Sequence, residues 1–354
     1  MSVSPFDDPW LSGLLGDDTL APQFAPLADH QAMISFEEAL AMAEGAEEVI
    51  PEDSAAHIAA RIGTFAADFD LIREAAARDG VVVPEFVRQL RAHIGPPHDR
   101  YVHFGATSQD VVDTSLILRL KPVLSEFAER LRAVRAALAG LDQRFGENDL
   151  MGRTRMQDAI PISAGRRIAD WHAPLSRHLD RLAELTPRLL VLQFGGAAGT
   201  LDRLGDRGPA VAARLAERLE LGLPPRPWHA QRDAIAELAG WLSLLSGSLG
   251  KLGIDVALMA QNAIGEIEIE GTGGSSAMPH KQNPVAAETL VALARFNATL
   301  LGGMHQALVH EQERSGAAWT LEWLLLPQMV MATAASLRTA LALLDHVTRI
   351  GTPP

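Results

Sequence analysis

The sequence predicts an all-α protein, an elongated bundle of long helices preceded by a small helical domain. Three observations carry that expectation. Apolar residues recur at alternating three- and four-residue spacings along most of the chain, whereas sustained strand alternation is scarce. Aromatic residues make up only 5% of the chain, with Tyr101 its single tyrosine, while the helix formers Ala and Leu dominate. A length of 354 residues at 47% hydrophobic content suffices for one large core or two domains.

In order along the chain, the first hundred residues predict short helices over 31–44, 53–62, 65–78 and 84–93, punctuated by Pro51, Gly80 and Gly95-Pro96-Pro97. Residues 1–100 therefore read as an N-terminal helical domain and 101–354 as the bundle. From Ser108 to Gly146 the apolar positions Leu116, Leu120, Val123, Phe127, Leu131, Val134, Leu138 and Leu141 describe one bundle helix, with Pro122 expected to kink it. The segment 231–263 holds an unbroken register through Ile235, Leu238, Leu242, Leu245, Leu249, Leu252, Val256 and Met259. It also contains Gly240, Gly247, Gly250 and Gly253, each costing up to about 1 kcal/mol of helix propensity, so close approach by neighbouring helices is the expected compensation. Further long helices are expected over 160–188, 284–312 and 320–347, giving five in all. Apolar surfaces this wide suggest self-association with closed symmetry; the alternative is that every seam is satisfied within one subunit.

Composition excludes several classes. A net charge of −13 disfavours nucleic-acid binding. The absence of cysteine rules out disulfides, thiolate catalysis and Cys-type metal sites, and fits a reducing cytoplasm. The N-terminus is acidic and lacks the basic n-region of a signal peptide. The apolar stretch Leu238–Leu258 is interrupted by Lys251 and Asp255, so it reads as a buried helix and not a membrane span. Twelve dispersed histidines with no HExxH pair indicate no metal site. Gly195-Gly196-Ala197-Ala198-Gly199 lacks dinucleotide-binding spacing and reads as a tight inter-helix turn.

Three polar clusters interrupt the helical pattern, each beside a long helix. The first, Tyr101 to Asp110, includes His103, Thr107 and Ser108. Thr107 or Ser108 with Asp110 forms a plausible N-cap, and the same helix start offers free N–H groups to an anion. The second spans Gly152 to Pro161. Arg153 and Arg155 flank Thr154, with Gln157 nearby, a set suited to carboxylate recognition or simply a solvated basic turn. The third, Gly271 to Pro284, is rich in glycine and contains Ser275, Ser276, Met278, Lys281 and Asn283. A flexible connector is the plain alternative, but Pro279 and Pro284 stiffen this loop, and its ammonium, amide and hydroxyl groups suit a substrate that gains negative charge during reaction. His229, in Pro227-Trp228-His229-Ala230-Gln231-Arg232-Asp233, reads as part of a helix start, with the lining of a site as the alternative.

Together the clusters resemble the fumarase/aspartase superfamily of lyases. Gly274-Ser275-Ser276-Ala277-Met278-Pro279-His280-Lys281-Gln282-Asn283-Pro284 matches its GSSxMPxKxNP signature at every fixed position, and the clusters at 107–110 and 152–157 match its other two shared regions. Within the superfamily the carboxymuconate cycloisomerase branch is the most similar. Tyr101 to Asp110, Pro227 to Asp233, Gly247 to Lys251 and Glu322-Trp323 support that branch, and Arg155 stands where adenylosuccinate and argininosuccinate lyases carry a histidine. The resemblance implies lactonisation of 3-carboxy-cis,cis-muconate to 4-carboxymuconolactone, in the protocatechuate branch of the β-ketoadipate pathway, with no cofactor. It implies Ser275, Lys281 and Asn283 as catalytic residues, with Ser275 delivering the proton. His103, Thr107, Ser108, Arg153, Thr154, Arg155, Gln157, His229, Ser276 and Met278 would bind the tricarboxylate. It further implies a cytoplasmic homotetramer whose composite sites draw on three subunits. The superfamily usually adds a small helical domain after the bundle; this sequence stops at Pro354, near the bundle's last helix, so that third domain is expected to be either naturally absent or removed. Two alternatives remain open: an adenylosuccinate-lyase-like elimination of fumarate with His103 or His229 as the acid, and a helical scaffold without catalysis.

Overall fold

The computed structural model describes residues 4–271, 273–274, 278 and 282–353. A short helix, α1 (Ser12–Leu15), leads into α2 (Pro26–Ala46), α3 (Glu52–Ile62), α4 (Phe69–Asp79) and α5 (Val83–Ile94). These are the four short helices expected, with ends set by local chemistry. Asp68 caps α4 by accepting from the N–H groups of Asp70 and Leu71, both at 3.0 Å, and Gly80 ends it at φ +72°.

The bundle consists of α6 (Ser108–Phe145), α7 (Ala164–Leu189), α9 (Asp233–Met259), α10 (Val285–Gln306) and α11 (Gly316–Asp345), with the short α8 (Gly208–Arg218) outside it. α9 is central and packs on α7, α10 and α11. All eight register positions from Ile235 to Met259 are buried, as are seven of the eight on α6; Leu116 is half-buried. Each such side chain contributes on the order of 1.5–3 kcal/mol. α6 is helical straight through Pro122. One hydrophobic core links the short helices to the bundle, from Leu20 to Ile350.

The glycines of α9 divide into two pairs. A Cβ at Gly253 would sit 2.6 Å from the Ala287 carbonyl oxygen, and one at Gly250 would sit 2.5 Å from the Ala294 Cβ, so α10 approaches closely there. Gly240 and Gly247 face open space within the subunit, so close packing explains only half of the expected set.

Three short antiparallel ladders complete the fold among the described residues: β1 (Asp149–Thr154) with β2 (Gln157–Ser163), β3 (Ile267–Ile269) with β6 (Val347–Ile350), and β4 (Gly273–Gly274) with β5 (Gln282–Asn283). The β1–β2 hairpin corrects the expected helix over 160–188. That helix starts only at Ala164, where the Ser163 hydroxyl accepts from the Arg166 N–H at 3.2 Å. Likewise α10 stops at Gln306, six residues early, and α11 starts at Gly316, where Ser315 caps the N–H of Ala318. The unexpected α8 also belongs to this list.

By length and composition α9, α10 and α11 each have the character of a membrane-crossing helix. The most apolar windows of α9 and α11 are 50% and 67% buried within the chain, whereas that of α10 is only 28% buried.

Candidate functional site

At its N-terminus α6 carries a reciprocal cap. Thr107 accepts from the Asp110 N–H, and Asp110 Oδ2 accepts from the Thr107 N–H at 3.0 Å. Asp110 does more than cap. Its two oxygens also take the Gly195 and Gly196 N–H groups at 3.0 and 2.9 Å and Gln193 Nε2 at 3.2 Å. His229 Nε2 lies 2.8 Å from Asp110 Oδ1. His229 is therefore buried and tied to Asp110 through that nitrogen. Thr107 and Ser108 are half-buried at the first turn, where the helix dipole and free N–H groups favour an anion.

Behind this turn lies a buried ionic cluster. Arg232 binds Asp113 through both terminal nitrogens, at 2.6 and 3.1 Å, and Glu322 through Nε and Nη2, at 2.9 and 2.5 Å. Burial alone would push the Arg232 pKa down; the two carboxylates outweigh it and the net shift is upward. Burial likewise pushes Glu322 up, but His310, whose Nε2 stands 3.7 Å from Glu322 Oε1, and the hydrogen bonds from Arg232 bring it below its ordinary value. Trp319 Nε1 donates to Asp113 at 3.0 Å, and Gln109 joins the cluster by donating to Asp113 and accepting from Arg314. Sequence reasoning left out Asp113, Gln193 and Arg314. Asp113 carries a visible signal, an acidic residue one turn beyond Asp110 on the same helix; Gln193 and Arg314 carry none, because they reach the cluster only through tertiary packing.

The second cluster forms the β1–β2 hairpin. Thr154 pairs with Gln157, leaving Arg155 and Met156 as a two-residue turn with φ values of +50° and +66°. Both central residues at positive φ define a type I′ turn, normally built with Asn or Gly, so these side chains are placed there against backbone preference. Thr154, Arg155, Met156 and Gln157 are exposed. Arg153 points back and pairs with Glu266 at 2.6 Å and Asp158 at 2.9 Å, and the Glu266 hydrogen bond leads the causes that raise its pKa. A cleft of about 730 Å³ lies between the hairpin and the ends of α7 and α9, with Arg153, Arg155, Arg166, Arg167 and Lys251 on its walls.

In the third cluster Asn283 is half-buried in β5 opposite Gly273, and Met278 is exposed. Ser275, Ser276 and Lys281 lie outside the described residues.

The clusters fall into two groups. His103, Thr107, Ser108 and His229 sit where α6 begins. Arg153 to Gln157 follow the other end of α6, and the base of the third cluster joins them there through Glu266 and through Glu270, whose N–H bonds the His346 carbonyl. Thirty-eight helical residues separate the groups, about 57 Å at 1.5 Å per residue. Among the described residues, one chain does not bring them together.

Comparison with known proteins places this architecture. Residues 18–296 match the lyase family. A 3-carboxy-cis,cis-muconate cycloisomerase of Pseudomonas aeruginosa is 42% identical over 92% of this chain and 73% of its own length. Another of that name, from Bradyrhizobium diazoefficiens, is 42% identical over 87% of this chain and 69% of its own. The crystal structure of 3-carboxy-cis,cis-muconate lactonizing enzyme from Pseudomonas putida superposes with a TM-score of 0.90 at 38% identity, covering 95% of this chain and 76% of that one.

Proposed function

The chain belongs to the lyase family, and from that premise we propose that it is an intramolecular lyase that lactonises 3-carboxy-cis,cis-muconate to 4-carboxymuconolactone. The observation that carries the reading is the 42% identity to cycloisomerases over most of the chain. The chemistry asks for an anion-binding site, charge stabilisation and one proton. A substrate carboxylate oxygen adds to a double bond of the same molecule, forming the C–O bond. The electron pair moves to the neighbouring carbon and into the carboxylate attached to it, and that carbon then takes a proton. Electrons are only redistributed within the substrate, so no redox partner enters.

The α6 N-terminus with Thr107 and Ser108, together with the basic hairpin carrying Arg155 and Gln157, supplies anion recognition in this reading. Lys281 and Asn283 stabilise the developing charge, and Ser275 delivers the proton. His103, Arg153, Thr154, Ser276 and Met278 complete the substrate contacts. His229, held on Asp110, supports the α6 turn from behind.

The same reading makes the protein a cytoplasmic homotetramer with sites shared between subunits. The 57 Å separation along α6 supports it, as do the largely unburied apolar face of α10 and exposed Leu244, Val309 and Leu324. It treats residues 1–100 as the N-terminal domain and 101–354 as the bundle.

A direct assay tests the activity. Incubation with 3-carboxy-cis,cis-muconate should abolish the ultraviolet absorbance of the conjugated diene. Ser275→Ala should lower turnover by orders of magnitude while leaving melting and assembly unchanged. A stable diene signal with folded native protein would remove the proposal, and near-normal turnover of Ser275→Ala would remove the role of that serine.

A further inference from the structure

Away from the buried ionic cluster, α2 places two buried glutamates on one face, Glu37 and Glu44, seven residues or about two turns apart. Glu37 reaches the loop that leads into α6, where its Oε1 lies 2.6 Å from His103 Nδ1. The Glu37 side chain is 1% exposed and that of His103 14%. The loop backbone is shaped to present this ring. His103 has φ +59°, followed by Gly105 at φ +72°. A Cβ at Gly105 would meet Leu204 Cδ2 at 2.7 Å, and one at Gly196 would meet the Gly105 carbonyl oxygen at 2.8 Å, so the loop is clamped from two sides. A left-handed residue with a side chain is strained and persists only where its surroundings over-determine it. The clamp and the Glu37 contact do that here.

We propose that Glu37 is a positioning residue for the reaction: it accepts the Nδ1–H of His103, fixes the ring's orientation and leaves Nε2 as the nitrogen that meets a substrate carboxylate. This rests on the reading of His103 as a substrate contact. A carboxylate behind a histidine sets which ring nitrogen carries the proton, and it supplies counter-charge when an anion draws a second proton onto the other. Burial, reinforced by the charge of Glu37, pushes the Glu44 carboxyl up to about 9, so Glu44 is neutral near pH 7, and Arg203 is the cation that faces it. Arg203 also stacks on Phe104, the residue after His103, with 4.4 Å from its guanidinium carbon to the ring centroid.

The test is a double-mutant cycle on the full-length protein, assayed with 3-carboxy-cis,cis-muconate, together with ¹⁵N spectra of histidine-labelled protein. His103→Gln identifies the His103 resonances. Glu37→Leu should lower kcat/KM by roughly 10–100-fold, the usual range for a group that orients a ligating or reacting histidine. Glu37→Gln, which keeps an acceptor, should recover most of that loss. In the His103→Gln background Glu37→Leu should cost nothing more, and the native spectrum should show a proton on Nδ1. A penalty that carries undiminished into the His103→Gln background overturns the proposal, as does a bare Nδ1 in the native protein. Should Glu37→Leu fail to fold, the Nδ1 measurement on native protein decides alone. A native protein inert toward the substrate with a protonated, Glu37-bound Nδ1 would sink the function and leave the pairing standing.

Discussion

Within α2, Glu44 is fully buried, and neither of its carboxyl oxygens has a hydrogen-bond partner among the described residues. Folding raises its pKa from the ordinary 4.5 to about 9, so the native state holds a proton that the unfolded chain releases. The sign follows. Stability present below pH 4.5 is lost progressively up to about pH 9, at up to roughly 1.4 kcal/mol per pH unit. Glu44→Gln, which stays neutral, should melt like the native protein at pH 5 and at a higher temperature at pH 8; equal melting temperatures at pH 8 would contradict the assignment. Nothing in the sequence marked this residue, because a glutamate in a helical pattern reads as solvated until α3, α6 and α8 are seen to cover α2. Asp110 was half legible. Its capping offset from Thr107 can be read from the chain, whereas its hold on His229, Gln193 and the Gly195-Gly196 turn joins segments more than eighty residues apart.

Helices were the legible elements, since the three- and four-residue spacing that defines a bundle face survives any tertiary context. The β1–β2 hairpin was hidden for an opposite reason. Its strands face solvent on most positions, so little alternation appears, and its turn uses Arg and Met where the backbone would prefer Asn and Gly. The α9 glycines yield a prediction at this scale. Gly253→Ala places a methyl 2.6 Å from a backbone oxygen of α10 and should destabilise the subunit by roughly 1–3 kcal/mol, the usual penalty of overpacking. Gly247→Ala meets nothing within 4 Å and should gain helix propensity instead, up to about 1 kcal/mol. Thermal melts of the two variants check the contrast. A Gly247→Ala protein that melts normally but sediments as a smaller species would place that face of α9 in a contact between copies.

For the whole molecule, the separated clusters make their own prediction. A chain altered at Gln157 and a chain altered at His103 lose opposite ends of the proposed site. Mixed in equal amounts through denaturation and refolding, random assembly should return about a quarter of the sites with both parts native, in a closed oligomer. Activity that stays at the level of the separate variants would rule out shared sites. The sequence announced the three clusters but not their distances, because spacing along the chain says nothing of which end of a 38-residue helix a loop returns to. That helix length has a consequence for abundance. Under the proposed sharing of sites between subunits, a reaction centre assembled from several chains does not merely weaken on dilution; it ceases to exist. Output should then climb more steeply than the amount of protein made, so that a cell with scant expression has almost none of the activity, and the chain's own concentration acts as the threshold for turning it on.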